Sequence, residues 1–418
     1  MVMQKIEKTK LNNGLEIYFL FDKKFTTSSI QMMFKTGWRN DPVEQLGLAH
    51  LFEHLVGKRT QKYPGKSEFA KKLEITGISH NAWTGPDTTV YLQEQTNENL
   101  LKSLELFYEA IYHSTFEKDD LEKEKQVVLT ESRRYLDNDS SVVWREMIQN
   151  LFPDTTMGKF FFGNKETLSK ITLPTFQDFY EFYKNPTNSV LFIGTDNAKK
   201  KKAVVNLLTK LYKKDEQSSK KSLKKIERFV DTKKQVIPFK KISKTDKSQS
   251  EIRMAFRFDY KLSKKERVTF SVLRRILTGG LTGKLMRILR DDMGLVYGID
   301  MSWDEHHQNI QYVEVETECA KDKREIVVSK IFEVLQNIEK YLSDEDIKHT
   351  IPGCLYMAKK PVFVSRDLTE LLGAVTYTYD YLQTEEVIKI LKKLKVQDLV
   401  KLAKKIFIKD MSTIVTME

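Results

Sequence analysis

The sequence predicts an α/β (α+β) chain built as two homologous halves. Three observations carry that prediction. The chain has 418 residues with 40% hydrophobic and 11% aromatic content, enough for two to four domains of ~100–200 residues and too apolar for a disordered or fibrous protein. Short runs of β pattern alternate with longer stretches of helical period. The strand-like segment SSIQMMFKTGW, beginning at Ser28, returns as SEIRMAFRFDY from Ser250 to Tyr260, each followed by a loop and a helix. This duplication gives two halves of about 200 residues, an ordinary domain size. The expected domains are 1–225 and 226–418, joined through a stretch from Lys213 to about Lys234 rich in Lys, Ser, Gln and Asp.

The first strand is expected at Leu15–Phe21, after the Asn12-Asn13-Gly14 turn signal, and the second at Ser28–Lys35, closed by Gly37. A helix follows from about Leu46 to Val56, with Gly57 as the residue that ends it. Ser67–Thr76 reads as a helix and Thr88–Gln93 as a strand. Glu98–Tyr112 and Glu117–Leu136 are long amphipathic helices. Ser189–Gly194, SVLFIG, is a strand, and a lysine-rich helix spans Lys199–Lys213.

Charge and composition exclude several classes. The formal charge of +12 comes mostly from lysines scattered on helical faces or gathered around Lys199–Lys247, without the clustered Arg and aromatics of a nucleic-acid groove. No specific nucleic-acid partner is expected. No run approaches the ~20 apolar residues of a membrane span, so no membrane association is expected either. The N-terminal segment lacks the pattern of a secretion signal or an organellar transit peptide. Cys319 and Cys354 cannot build a disulfide framework, which favours a reducing compartment, and a cytoplasmic location is expected.

The chemistry lies in Gly47-Leu48-Ala49-His50-Leu51-Phe52-Glu53-His54. On a helix with His50 at zero, His54 falls near 40° and Glu53 near −60°, so the three share an arc of about 100°. Leu51 and Phe52 point to the other side and can anchor the helix. Two histidines four apart can aim at one metal ion, and a carboxylate beside the first can act on the water it activates. The HxxEH order is the inverzincin signature. A chain with seven histidines shows it by chance about 1% of the time, so a metal site outweighs an accidental pair of helix histidines.

Catalytic zinc with two histidines needs a third protein ligand, typically a carboxylate. The helix 117–136 offers Glu122, Glu124 and Glu131. Glu124 and Glu131 share a face but stand about 10 Å apart along the axis, so only one can reach the ion. Spacing does not choose between them. An acidic stripe in solvent is the commoner fate of glutamates on such a helix.

HLFEH, followed after 76 residues by Glu131 within EKQVVLTES, resembles the pitrilysin/insulinase family of inverzincin metallopeptidases, which includes the mitochondrial processing peptidase and bacterial relatives. The resemblance implies one Zn²⁺ per chain, on His50, His54 and Glu131. It makes Glu53 the base that activates water and Glu124 a further active-site residue. Asn81-Ala82-Trp83-Thr84 through Thr89-Val90-Tyr91 is similar to the family's substrate-binding edge strand, where Asn81 and Ala82 would pair with an extended peptide. Arg290 through Gly294-Leu295-Val296-Tyr297 is similar to its RxxxGLxY segment. There the Arg and Tyr bind substrate and help to hold the reacting carbonyl, a role that suits two strong donors. Without the family, Arg290 reads as a surface cation and Tyr297 as a core aromatic.

The resemblance further implies, for each half, a mainly antiparallel sheet packed with helices. The whole would be one half of a clam-shell, with an inactive second domain carrying the Arg/Tyr segment. Two-domain members pair, and this sequence holds both the zinc motif and the Arg/Tyr pair. A homodimer is therefore expected, with Arg290 and Tyr297 serving the partner's zinc; a heterodimer with a homologous chain is the alternative. The chain departs from the family at Val56-Gly57-Lys58-Arg59, which replaces the usual aromatic-Lys-Gly ending, and at Asp291, where Glu is common. The expected function is a zinc-dependent endopeptidase or oligopeptidase acting on extended peptides or unfolded segments. The alternative is a non-catalytic or partner-dependent processing or assembly subunit, which would usually have lost part of the set His50, Glu53, His54 and Glu131.

Overall fold

The computed structural model describes residues 5–215, 236–243, 248–306, 310–359, 368, 382 and 384–418. They fall into two compact units. The first holds the described residues up to 133 and 160–215; the second holds 134–159 and nearly all that follows residue 235.

In the first unit, strands β1 (Lys5–Lys10), β2 (Glu16–Phe21), β3 (Thr27–Phe34), β4 (Ser79–Thr84), β5 (Thr89–Thr96) and β6 (Ser189–Thr195) form one sheet ordered β1-β2-β6-β3-β5-β4. The Asn13-Gly14 signal is a real turn: Gly14 has φ +92° and its N–H donates to Leu11 O at 3.0 Å. β2 and β6 pair in parallel, Glu16 opposite Val190, and the other neighbours are antiparallel. Every residue of β6 is buried, as expected for a central strand covered on both faces. Its helices are α1 (Leu48–Leu55), α2 (Glu68–Ile75), α3 (Leu100–Tyr112), most of α4 (Lys118–Asp137), α6 (Lys165–Ser169), α7 (Leu173–Tyr183) and α8 (Lys200–Asp215); α5 (Asp139–Leu151), between α4 and α6 in the chain, belongs to the second unit.

The second unit contains β7 (Phe239–Ile242), β8 (Gln249–Phe258), β9 (Val296–Glu305), β10 (Gln311–Ala320) and β11 (Ser412–Met417), ordered β7-β11-β8-β10-β9. β7 and β11 are parallel and the rest antiparallel. This repeats the first sheet strand for strand from β2 onward, with β8 standing where β3 stands and β9 where β4 stands. The expected duplication and mainly antiparallel sheets are thus present. The helix that follows β8, α9 (Lys264–Thr278), starts with a capping box between Ser263 and Glu266 and contains no histidine.

β8 alternates between two cores, as the period of two requires. Met254 and Phe256 pack with Leu273, Val313 and Ala403, while Ala255 lies with Val143, Met147 and Leu151 of α5. The expected boundary between residues 225 and 226 lies outside the described residues, as does most of the lysine-rich linker. One correction concerns α5: residues 134–159 precede that boundary by far yet belong to the second unit, so no single cut divides the chain. The cause is the apolar face Val143–Met147–Leu151, which is buried against β8 and β11.

Candidate metal centre

α1 carries the site, and its placement is over-determined. Asp41, 2% exposed, accepts the N–H groups of Gly47 at 2.8 Å and Ala49 at 2.9 Å, capping a helix start that has no side-chain cap of its own. Burial pushes the Asp41 carboxyl up to about 8, against those N–H groups, which favour the anion. Gly47 enters the helix at φ +96°, and a Cβ there would stand 2.6 Å from Phe162 O. Glycine is required at that point. The apolar side of α1 is buried, with the Phe52 ring edge-on to Phe34, Tyr91 and Phe179, and the Tyr91 hydroxyl donates to Phe52 O at 2.7 Å. Gly57, φ +79°, ends the helix as expected.

This leaves His50, Glu53 and His54 on one side, with ligating atoms within 4.8 Å of one another. α4 adds the rest. Glu131 Oε2 lies 3.1 Å from His50 Nε2 and 3.4 Å from His54 Nε2. Glu124 Oε2 lies 3.1 Å from the other ring nitrogen of His54, Nδ1. His50 Nδ1 faces Glu53 Oε2 at 3.4 Å, and that oxygen accepts the Thr84 hydroxyl of β4 at 2.7 Å. Glu122 is turned away and pairs with Lys125 at 2.8 Å.

These residues fit a zinc ion. Ligands about 2.0–2.1 Å from a tetrahedral metal are separated by about 3.3 Å, which matches both Nε2–Oε2 distances. Each imidazole turns Nδ1 to a carboxylate and so can present Nε2 as a lone pair, the arrangement that orients metal-binding histidines. Three carboxylates and the Lys58 ammonium leave a deficit of two positive charges when both histidines are neutral, which a dication supplies.

The electrostatics agree. Burial works to raise Glu53, but His50 and the Thr84 hydroxyl outweigh it and hold the carboxyl below the usual range. Glu124 is likewise held low by His54 and Lys58 against burial, and Glu131 chiefly by His50. Burial depresses His50, yet Glu131 and Glu53 overcome it and carry the imidazole up to about 9. In the metal-free chain His50 is therefore a cation at neutral pH. Protonation is favoured more in the folded state than in the unfolded chain, so this stabilisation is complete below about pH 6.5 and is lost as pH rises toward 9, up to roughly 3 kcal/mol. Thermal melts of the metal-free protein should show a falling Tm across that window, while the increment added by zinc grows as the competing proton leaves.

Asn81 and Ala82 lie on β4, which is the edge of its sheet; Asn81 is exposed and its Oδ1 accepts the Ala82 N–H at 2.9 Å. Arg290 sits in the π-helical turn Arg287–Asp292 and Tyr297 near the start of β9, both in the second unit. Tyr297 is 88% exposed, so the core-aromatic reading of it is wrong. The Arg290 guanidinium lies 5.4 Å from its ring centre, and the two form a pair of their own. Sequence reasoning missed Asp41 and Phe162, and it named Thr84 only within the edge-strand motif and Lys58 only as part of a departure from the family, not for the contacts they make here. Phe162 sets its ring edge-on to His50 at 5.1 Å and belongs to an aromatic run, Phe160–Phe162, with Trp38 stacked on Phe161. That run is the signal in the sequence that could have pointed to Phe162.

The family description "Insulinase (Peptidase family M16)" matches residues 20–164, and "Peptidase M16 inactive domain" matches residues 170–351. An uncharacterized zinc protease of Rickettsia felis is 25% identical over 391 residues, 93% of this chain and 91% of its own. The beta subunit of the mitochondrial-processing peptidase of Neurospora crassa is 28% identical over 168 residues, 40% of this chain and 35% of its own. Among solved structures, a protease from Helicobacter pylori matches the fold over 100% of both chains with a TM-score of 0.84 at 22% identity.

Proposed function

The chain belongs to peptidase family M16, the insulinase family, as a half-size two-domain member, and on that premise we propose that it is a zinc-dependent peptidase that hydrolyses extended peptides or unfolded segments. The observation that carries this reading is the triangle of His50 Nε2, His54 Nε2 and Glu131 Oε2 with an ionised Glu53 beside it. Those three residues would hold the ion. When bound, zinc supplies a Lewis acid for the scissile carbonyl and makes water a stronger acid. Glu53 takes a proton from the attacking water at its carboxylate and passes it to the leaving amine. Thr84 keeps that carboxylate in place, and Glu124 fixes the ring of His54.

The outer edge of β4, the end strand of its sheet among the described residues, offers backbone groups at Asn81 and Ala82 to an extended substrate, which gives affinity with little demand on sequence. Arg290 and Tyr297 are proposed to bind substrate and to donate to the oxygen of the tetrahedral intermediate. The strong exposure of Tyr297 supports a ligand-binding role over a packing one. The active species is proposed to be a homodimer, or a heterodimer with a homologous chain, in which this pair serves the partner's site. The proposed compartment is the cytoplasm, which suits the unbridged Cys319 and Cys354. The reading as a non-catalytic subunit is less well supported, because His50, Glu53, His54 and Glu131 are all kept and converge.

The test is hydrolysis of a quenched-fluorescent peptide library by the zinc-loaded chain, with gel filtration of the active fraction. Cleavage eluting as a dimer is expected. No cleavage by a chain that holds one zinc would leave the non-catalytic subunit as the better reading, and full activity in a monomer would sink the shared site.

A further inference from the structure

We propose that Lys58 is a positioning residue of the metal centre: its ammonium anchors the free oxygen of Glu124, and through Glu124 it fixes the imidazole of His54 for a divalent cation. This rests on the metal reading above and extends it to a residue outside the ligand set.

The two oxygens of Glu124 have separate duties. Oε2 faces His54 Nδ1 at 3.1 Å, and Oε1 accepts the Lys58 ammonium. The carboxylate is buried on α4, the helix that also carries the negative Glu131. A buried anion needs both partners, because an unpaired oxygen there costs on the order of 1–3 kcal/mol or more. Without Lys58, the carboxylate can recover its solvation only by turning outward or taking up a proton. Either change releases His54 Nδ1.

The backbone around Lys58 is built to deliver it. The Gly57 N–H donates to Ser114 Oγ at 2.7 Å, and the Lys58 N–H to Leu55 O at 3.2 Å. On its other side, Arg59 O accepts the Thr115 N–H at 3.0 Å and Thr60 bridges to Ser114. The side chain of Arg59 then grips Asp120 on α4, Nε to Oδ2 at 2.5 Å. Asp120 and Glu124 are one turn apart. The exit of α1 is thus clamped to α4 at two neighbouring points, of which Lys58–Glu124 reaches a histidine and Arg59–Asp120 does not. The second pair is a control supplied by the fold itself.

The test measures zinc affinity by competition with a fluorescent chelator, at one pH, for wild type, K58M, K58R, E124Q, K58M/E124Q and R59Q. Melting of the chelated proteins checks that each folds, with K58Q replacing K58M if that variant does not melt cooperatively. K58M should bind zinc about 10–100-fold more weakly, the loss typical of an outer partner of a metal-binding histidine. K58R should recover most of it. The double variant should bind no worse than E124Q alone, because the two residues act in series. R59Q should keep wild-type affinity. Wild-type affinity in K58M, additive losses in the double variant, or an equal loss in R59Q would each overturn the inference. A wild-type chain that binds no zinc would instead overturn the metal reading, and this inference with it.

Discussion

Replacing Glu53 by glutamine is expected to lower the rate of peptide hydrolysis by about 10²–10⁴-fold while zinc stays at one ion per chain. Glutamine keeps the shape of the side chain and can still accept the Thr84 hydroxyl, now 2.7 Å from Oε2, so α1 and β4 keep their contact. It cannot accept a proton. Glu53 is not in the His50–His54–Glu131 triangle, and the metal has no reason to leave. Parallel measurement of metal content and of cleavage rate separates the two effects. An E53Q chain that cleaves at the wild-type rate would remove Glu53 from the chemistry, and one that loses its zinc would make it a ligand.

Changing Glu131 to glutamine should do the reverse and empty the site. Glu131 supplies the oxygen that lies 3.1 and 3.4 Å from the two Nε2 atoms, and without it two neutral imidazoles are left to hold the ion. The loss of zinc affinity should exceed the 10–100-fold that an outer-shell change costs, and activity should vanish with the metal. The same substitution at Glu124 should fall within that smaller range. At Glu122, which faces Lys125, it should do nothing to the metal. Chelator competition across the three variants reads this order directly. A larger loss at Glu124 than at Glu131 would exchange their roles.

Spacing within the sequence could not supply that ordering, which came there only from the family resemblance. The convergence of His50, Glu53 and His54 could be computed, because one turn of helix fixes the angles between them whatever surrounds it. The choice among Glu122, Glu124 and Glu131 depends on how deep α4 lies against α1, which no local rule sets. The same limit explains the missed contacts. Asp41 caps α1 from six residues before Gly47, across Pro42, where no capping pattern would place it. Thr84 reaches Glu53 only because β4 lies beside α1.

The sequence by itself determined the metal motif and most of the strands and helices of the first unit, since each rests on periodicity within a few residues, and the two-fold repetition, which rests on the likeness of the segments at Ser28 and Ser250. The helix α5 was not among the expected elements, and even its apolar pattern of Val143, Met147 and Leu151 names no partner. Hydrophobic burial has no direction, so a helix from the first half of the chain could satisfy it against the sheet of the second. Tertiary structure alone decided that, together with the parallel pairing of Glu16 with Val190, and it set the geometry by which Glu131, named beforehand only by the family resemblance, meets both imidazoles. In each case the deciding contact joins residues far apart in the chain, and its geometry is set by the packing of everything between them.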